Sequence, residues 1–255
     1  MTDPRPTSAP VLASERLSRN FGGLAAVRDV SIALHRRELH AVIGPNGAGK
    51  STLVNLLSGE LKPSTGRINL MGADVAGEPS WRMTHLGIGR SFQRTNILGP
   101  ATVLENVRLG IQARHMRLSH LLRPAARERA LIERADAVLA RVGLGDTRSR
   151  IAATLSHGHQ RQLEIAMALA GEPQVLLLDE PMAGMGPEES ERMLHLLKSL
   201  AQDHAVLLIE HDMDFVFAVA DWMTVMVDGA VLAEGKPEAI RANPAVQHAY
   251  LGGTA

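Results

Sequence analysis

The sequence contains no cysteine, which excludes disulfide scaffolds, thiolate zinc sites and cysteine nucleophiles together. Aromatic residues make up only 3% of it, so the core must be assembled from Leu, Val, Ile, Ala and Met. Neither sign of charge prevails, with 27 Lys+Arg against 27 Asp+Glu. A protein that coats nucleic acid needs a positive field to displace counterions, so no nucleic-acid partner is expected. Long hydrophobic runs are missing too. The apolar stretches, such as Val175–Leu178 and Ala205–Ile209, fall far short of the ~20 residues that span a bilayer. The N-terminus lacks the basic start and unbroken apolar stretch of a secretory signal.

What is present suffices for a large core: 255 residues, 45% of them hydrophobic, fit one large domain or two modest ones. Residues 1–10, rich in Pro, Ser and Thr, read as a loose tail. Short strand-like runs follow (Ser31–Leu34, Leu39–Ile43), then a Gly-rich loop, a helix over Ser51–Ser58 and a strand over Gly66–Met71. Between Val103 and Arg141, apolar spacings of three and four predict helices, and residues 108–150 hold ten Arg against four acids. That excess reads as a solvated helix face. After Pro173 the pattern becomes strand Val175–Leu178, helix Glu188–Gln202, strand Ala205–Ile209, helix Met213–Ala220 and a strand pair around Trp222–Leu232. Such alternation predicts an α/β fold with a parallel sheet.

Gly44-Pro45-Asn46-Gly47-Ala48-Gly49-Lys50-Ser51-Thr52 fits G-x-x-x-x-G-K-[ST], after a buried-strand pattern and before a helix. A loop that wraps phosphates tolerates Cβ atoms at few positions and turns successive N–H groups inward. The helix N-terminus adds partial positive charge. Lys50 can reach the terminal phosphates of a nucleotide, and the Ser51 hydroxyl can coordinate Mg²⁺. The complement is Val175–Pro181, an apolar run ending in Asp179 and Glu180. Asp179 can hold Mg²⁺ at the sheet edge, and Glu180 can orient and deprotonate an attacking water.

Two further segments single out one class of phosphate-loop protein. Leu155-Ser156-His157-Gly158-His159-Gln160, directly before a helix over Arg161–Ala170, resembles the LSGGQ signature of ABC ATPases. Ile209-Glu210-His211-Asp212 resembles their switch histidine, Ser91-Phe92-Gln93 their Q-loop, and Phe21 the aromatic that stacks on adenine. The resemblance covers roughly residues 11–254. FGGLAAVRDVS, GIGRSFQRTNIL, EPMAGMGPEE and the tail PEAIRANPAVQHAYLG narrow it to the ATPase subunits of branched-chain amino acid importers. Related importers serve urea and amides. A lipopolysaccharide-type exporter ATPase shares the nucleotide motifs, and a soluble ABC ATPase acting on ribosomes or DNA is a more distant alternative.

The resemblance implies a RecA-like ABC ATPase core (residues 11–93 and 171–255) with an antiparallel β subdomain and an inserted α-helical subdomain (94–170). It implies ATP and Mg²⁺ as ligands. Ser51, Asp179 and Gln93 would serve the metal, and Glu180, His211, Lys50 and Gln93 the hydrolysis. Phe21 would stack on the base, and Val27 would also contact the nucleotide. Two cassettes would pair head to tail, so that Ser156 and Gly158 of one complete the phosphate cradle of the other. The partners implied are permease subunits, a second ATPase subunit and, indirectly, a periplasmic solute-binding protein. The place implied is the cytoplasmic face of the inner membrane, as a peripheral subunit. Three residues depart from the family pattern: His157 for the first signature Gly, His159 for the following Gln, and Gly186 for an Asp in the intersubunit loop. An alternative use of His157 and His159 as metal ligands lacks a matching third ligand.

Overall fold

The computed structural model describes residues 8–92, 96–115 and 125–251. Most of the tail, residues 1–7, lies outside them, as do Gln93 and part of the Arg-rich stretch, 116–124. In chain order the elements are β1 (Leu12–Phe21), β2 (Leu24–Val30), β3 (Ala33–Leu34), β4 (Leu39–Ile43), α1 (Lys50–Leu57), β5 (Thr65–Leu70) and β6 (Ala73–Asp74). Next come α2 (Ser80–Leu86), β7 (Ile88–Arg90), α3 (Val103–His115), α4 (Ala125–Arg141) and α5 (His157–Ala170). The chain closes with β8 (Val175–Asp179), α6 (Pro187–Ala201), β9 (Ala205–Ile209), α7 (Met213–Val219), β10 (Trp222–Val227), β11 (Ala230–Gly235), α8 (Pro237–Arg241) and α9 (Pro244–Leu251).

The expected parallel sheet is present, in the order β11-β10-β4-β9-β8-β7, with only the edge strand β11 antiparallel. Every residue of β4, β8 and β9 is buried, as strands covered on both faces must be. Side-chain alternation divides β8 between two cores. Leu176 and Leu178 face an apolar cluster with Val107 of α3, Leu139 of α4, Leu163 of α5 and Leu197 of α6. Val175 and Leu177 face a cluster with Leu53 and Leu57 of α1 and with Leu17 and Ile68 of the second sheet. Each such leucine contributes ~1.5–3 kcal/mol of burial. The second sheet runs β2-β1-β5-β6, antiparallel throughout, with β3 also on β1.

Some boundaries differ from those the sequence suggests. The signature helix begins at His157, ahead of Arg161, because Ser156 caps it by accepting the His159 N–H at 3.3 Å. Ser31 and Ile32 stay outside β3. Gly186 stands at the N-cap of α6 without a side-chain cap, and Pro187 takes the first turn. Several arginines of the basic stretch are paired at the surface, Arg134 with Glu172, Arg141 with Asp203 and Arg148 with Asp136. Among the described residues, no helix is long and apolar enough to cross a membrane.

Candidate active site

The parallel strands end side by side. Asp179 pairs with Ile209 across β8 and β9, and Val42 pairs with Ile209 across β4 and β9. The segments that follow, Gly44–Thr52, Glu180–Pro181 and Glu210–His211, therefore share one sheet edge, where open α/β sheets bind ligands.

The Gly44–Gly49 loop is as tight as phosphate wrapping requires. A Cβ on Gly44 would overlap the Met226 carbonyl, and one on Gly49 (φ +94°) the Ala26 carbonyl. Lys50 opens α1 and is 8% exposed. Its Nζ donates to the carbonyls of Gly44 at 2.7 Å and Pro45 at 3.0 Å. Burial lowers the Lys50 pKa from the ordinary lysine value, while Glu180 and Asp179 oppose that shift. The lysine is thus held against the loop and faces two acids.

A cleft of about 520 Å³ brings the expected ligand residues together. Asn46, Gly47, Ala48, Gly49, Lys50, Ser51 and Thr52 line it together with Phe21 and Glu180, whereas Asp179 and His211 are not among its lining residues. Phe21 is 43% exposed and has the Arg19 guanidinium 4.7 Å from its ring centroid. Gly44 and Pro45 turn their carbonyls to Lys50 and lie behind this lining. Val27 is not part of it: its side chain is fully buried in the core under the cleft, and Ala25, Ala26, Asp228 and Gly229 line the wall instead.

Asp179 is 2% exposed, and its Oδ1 is buried without a hydrogen-bond partner among the described residues. Burial raises its pKa, with Arg90 the strongest opposing charge. A desolvated carboxylate oxygen with an unused lone pair, together with the Ser51 hydroxyl in the cleft lining, fits Mg²⁺, which takes few protein ligands and fills its shell with phosphates and water. Among the described residues no group of three or more His, Asp or Glu side chains is placed to hold a metal on its own.

Glu180 has φ +50°, a left-handed conformation that costs a non-glycine residue ~1–3 kcal/mol unless its surroundings impose it. Its N–H bonds the Ile209 carbonyl at 2.9 Å. His211 Nδ1 lies 3.9 Å from Glu180 Oε1 and 3.8 Å from Glu210 Oε2, with the imidazole largely exposed. Sequence reasoning gave Glu210 no role; its only mark was an acid directly before His211.

Ser156 and Gly158 do not reach this cleft. They form the N-terminus of α5, where Ser156 Oγ donates to Glu189 Oε1 at 3.0 Å. Gln93 lies outside the described residues, but both its flanks are tied to α5. Arg161 Nη1 donates to the Phe92 carbonyl at 2.8 Å, and the Asn96 N–H to Glu164 Oε1 at 2.6 Å. Arg161 and Glu164 are themselves a buried pair, 2.8 Å apart. Beside them a second, more apolar groove of about 350 Å³ runs between α2 and α5, lined by Trp81, His85, Phe92 and Met167 among others.

Residues 27–183 match the family model described as ABC transporter. The chain belongs to the ABC transporter ATP-binding family. The tail of this ABC cassette, residues 230–255, matches a further model, the branched-chain amino acid ATP-binding cassette transporter. The cassette is 42% identical to the high-affinity branched-chain amino acid transport ATP-binding protein LivG of Salmonella typhimurium, over 96% of this chain and 99% of that one. It is 41% identical to BraF of Pseudomonas aeruginosa, of the same description, with the same coverage. Among solved structures it resembles the ADP conformation of MJ1267, an ATP-binding cassette of an ABC transporter. The TM-score there is 0.85 at 30% identity, covering 96% of this chain and all of that one. The dimeric cassette MJ0796 is similar at a TM-score of 0.77 and 25% identity, covering 89% of this chain and 98% of that one.

Proposed function

We propose that this cassette is the ATP-hydrolysing subunit of an importer for branched-chain amino acids, a peripheral subunit on the cytoplasmic face of the membrane that drives transport through partner permease subunits. The observation that carries the hydrolytic reading is one cleft holding the phosphate loop, Lys50 and Glu180. The cargo follows from the likeness to LivG and BraF across nearly the whole chain and from the matching tail.

In this reading ATP lies with its base near Phe21 and its phosphates on the Gly44–Thr52 loop. Lys50 and the loop amides stabilise the charge that develops on the terminal phosphate. Ser51 and Asp179 would hold Mg²⁺, whose charge would offset that of the phosphates, and Gln93 serves the same end of the nucleotide. Glu180 takes the proton of the attacking water, and His211 orients Glu180 and the phosphate. Ser156 and Gly158 stand apart from this cleft, which supports pairing with a second cassette whose ATP they complete. Residues 94–170 act as the helical subdomain. The groove at Trp81 and Phe92, next to the Q-loop, is the surface that receives a permease segment.

The test is Glu180→Gln in the cassette assembled with its permease. A positioned carboxylate base contributes ~10²–10⁴-fold, so ATP turnover and leucine uptake into proteoliposomes are expected to cease while ATP still binds. Unaltered turnover would remove the assignment of Glu180 as base.

A further inference from the structure

Among the buried carboxylates, Glu210 has no part in that reading although it adjoins His211. Glu210 follows β9 and is 1% exposed, a position that is costly for a carboxylate unless its oxygens are bonded. Those oxygens are divided between two loops. Oε1 accepts the N–H of Met182 at 2.9 Å, and Oε2 accepts the N–H of His211 at 3.2 Å. Met182 stands two residues after Glu180, across the turn that Glu180 makes with its left-handed backbone. The N–H of Glu180 is itself bonded to Ile209. Two successive residues of one segment, Ile209 and Glu210, therefore grip the Glu180 loop on either side of its strained residue. A conformation of that kind persists only where the surroundings over-determine it. Glu210 Oε2 also lies 3.8 Å from the His211 ring. Burial raises the carboxyl's pKa, and the bonds from Met182 and His211 work against that shift.

We propose that Glu210 is a positioning residue for hydrolysis: its carboxylate bridges the loop of Glu180 to the segment of His211, so that both side chains hold one geometry at the cleft. The proposal rests on the hydrolytic reading of the site. Glu210 does not line the cleft, and it acts through the two backbones it joins. The bridge needs two acceptor oxygens on one side chain. Gln conserves the volume but offers one acceptor and turns an NH₂ towards a backbone N–H. Asp offers two acceptors on a stem one methylene shorter.

The experiment compares Glu210→Gln, Glu210→Asp and Glu180→Gln in the full chain assembled with its permease, reading ATP Kd, Tm, kcat and KM. Misplacing a reacting group costs up to ~10²-fold, so Glu210→Gln is expected to lower kcat roughly tenfold to hundredfold. ATP Kd and KM should stay within about twofold, the pattern of an interaction that serves the transition state. Glu210→Asp should retain more turnover than Glu210→Gln. The proposal is overturned by a wild-type kcat in Glu210→Gln, by the reverse order, which a packing role predicts because Gln alone keeps the volume, or by rate and ATP affinity falling together. Should Glu210→Gln fail to fold, Glu210→Asp decides: a lowered kcat with ATP binding intact supports the bridge, and loss of both overturns it. Glu180→Gln separates the two levels. If it abolishes turnover while Glu210→Gln is normal, only the Glu210 role falls; if it turns over as wild type, the hydrolytic reading falls and the role with it.

Discussion

The carboxylate of Glu189 sits on the N-terminus of α5: it accepts the Ser156 hydroxyl at 3.0 Å and stands over Gly158, where an added Cβ would come within 2.6 Å of it. Glu189 belongs to the first turn of α6, where a negative charge is favoured. Its carboxylate covers the two residues that a second cassette's phosphate is proposed to meet. Exposed hydrogen bonds of this kind contribute ~0.5–1.5 kcal/mol, which is roughly two- to tenfold in an equilibrium. Glu189→Ala in a Glu180→Gln background is therefore expected to lower the ATP concentration at half-maximal dimerisation by about that factor, read by light scattering across an ATP titration. An unmoved midpoint would show that Glu189 does not compete with the phosphate.

Gly158→Ala should separate folding from turnover. The atoms a methyl group would meet are the far end of a flexible side chain, so Glu189 can swing away. Within the first turn of α5, Ala is favoured over Gly by up to ~1 kcal/mol. Tm is expected to hold or rise, while permease-coupled ATPase activity falls because the methyl group narrows the phosphate approach. A parallel loss of both would mean that the glycine is needed for packing.

In the phosphate loop, two glycines with positive φ should respond unequally to alanine. A methyl group on Gly47 (φ +82°) would stand in open space, whereas on Gly49 (φ +94°) it would overlap the Ala26 carbonyl. The left-handed backbone alone costs ~1–3 kcal/mol, so Gly47→Ala is expected near the lower figure. Gly49→Ala should exceed it, with ATP binding lost. Urea unfolding of the nucleotide-free chain, with fluorescent ATP binding alongside, gives both numbers.

Asp179 predicts a dependence on pH. Burial raises its folded pKa, so between the ordinary carboxylate value and the folded one the native state binds more protons than the unfolded chain. Stability then falls as pH rises through that window. Burial raises Glu164 and Glu210 in the same direction. Without Mg²⁺ or nucleotide, Asp179→Asn should match or exceed the wild-type Tm at neutral pH, and the difference should close in acid. With Mg²⁺ and ATP the order should reverse, because the variant loses the carboxylate proposed to hold the metal. A Tm series in EDTA, repeated with Mg²⁺ and ATP, reads both signs.

The parts of this site that were legible in the sequence are those whose chemistry is local. Gly44–Thr52 and Asp179–Glu180 declare themselves because one loop and one strand end carry the needed residue types in order. The parts that were not legible depend on parity or on distant partners. Register shifts in β1 against β2 around Arg19 obscure which side of the hairpin faces the cleft, and so Ala25 and Ala26 line it while Val27 turns inward. Glu210 meets an amide 28 residues away, and Glu189 a hydroxyl 33 residues away; no short motif encodes either meeting. β7 has three residues, too few for a periodicity to show, yet it completes the sheet edge that leads to Ser91 and the Q-loop.

The buried pair Arg161–Glu164 offers the strongest test of how that loop is linked to the signature helix. Its side chains are 6% and 4% exposed, and each also reaches a flank of Gln93, Arg161 the Phe92 carbonyl and Glu164 the Asn96 N–H. Removing one member of a buried pair costs ~3–5 kcal/mol, whereas replacing both with apolar residues of similar volume is often neutral or stabilising. Glu164→Ala is thus expected to unfold at clearly lower urea than wild type, and Arg161→Met with Glu164→Leu to recover most of that loss. The double variant restores packing without restoring the bonds to Phe92 and Asn96. It should therefore bind ATP as wild type does yet lose the stimulation of its ATPase by the permease, since the ends of the Q-loop are no longer held to α5. Full stimulation in a stable double variant would assign the pair to stability alone.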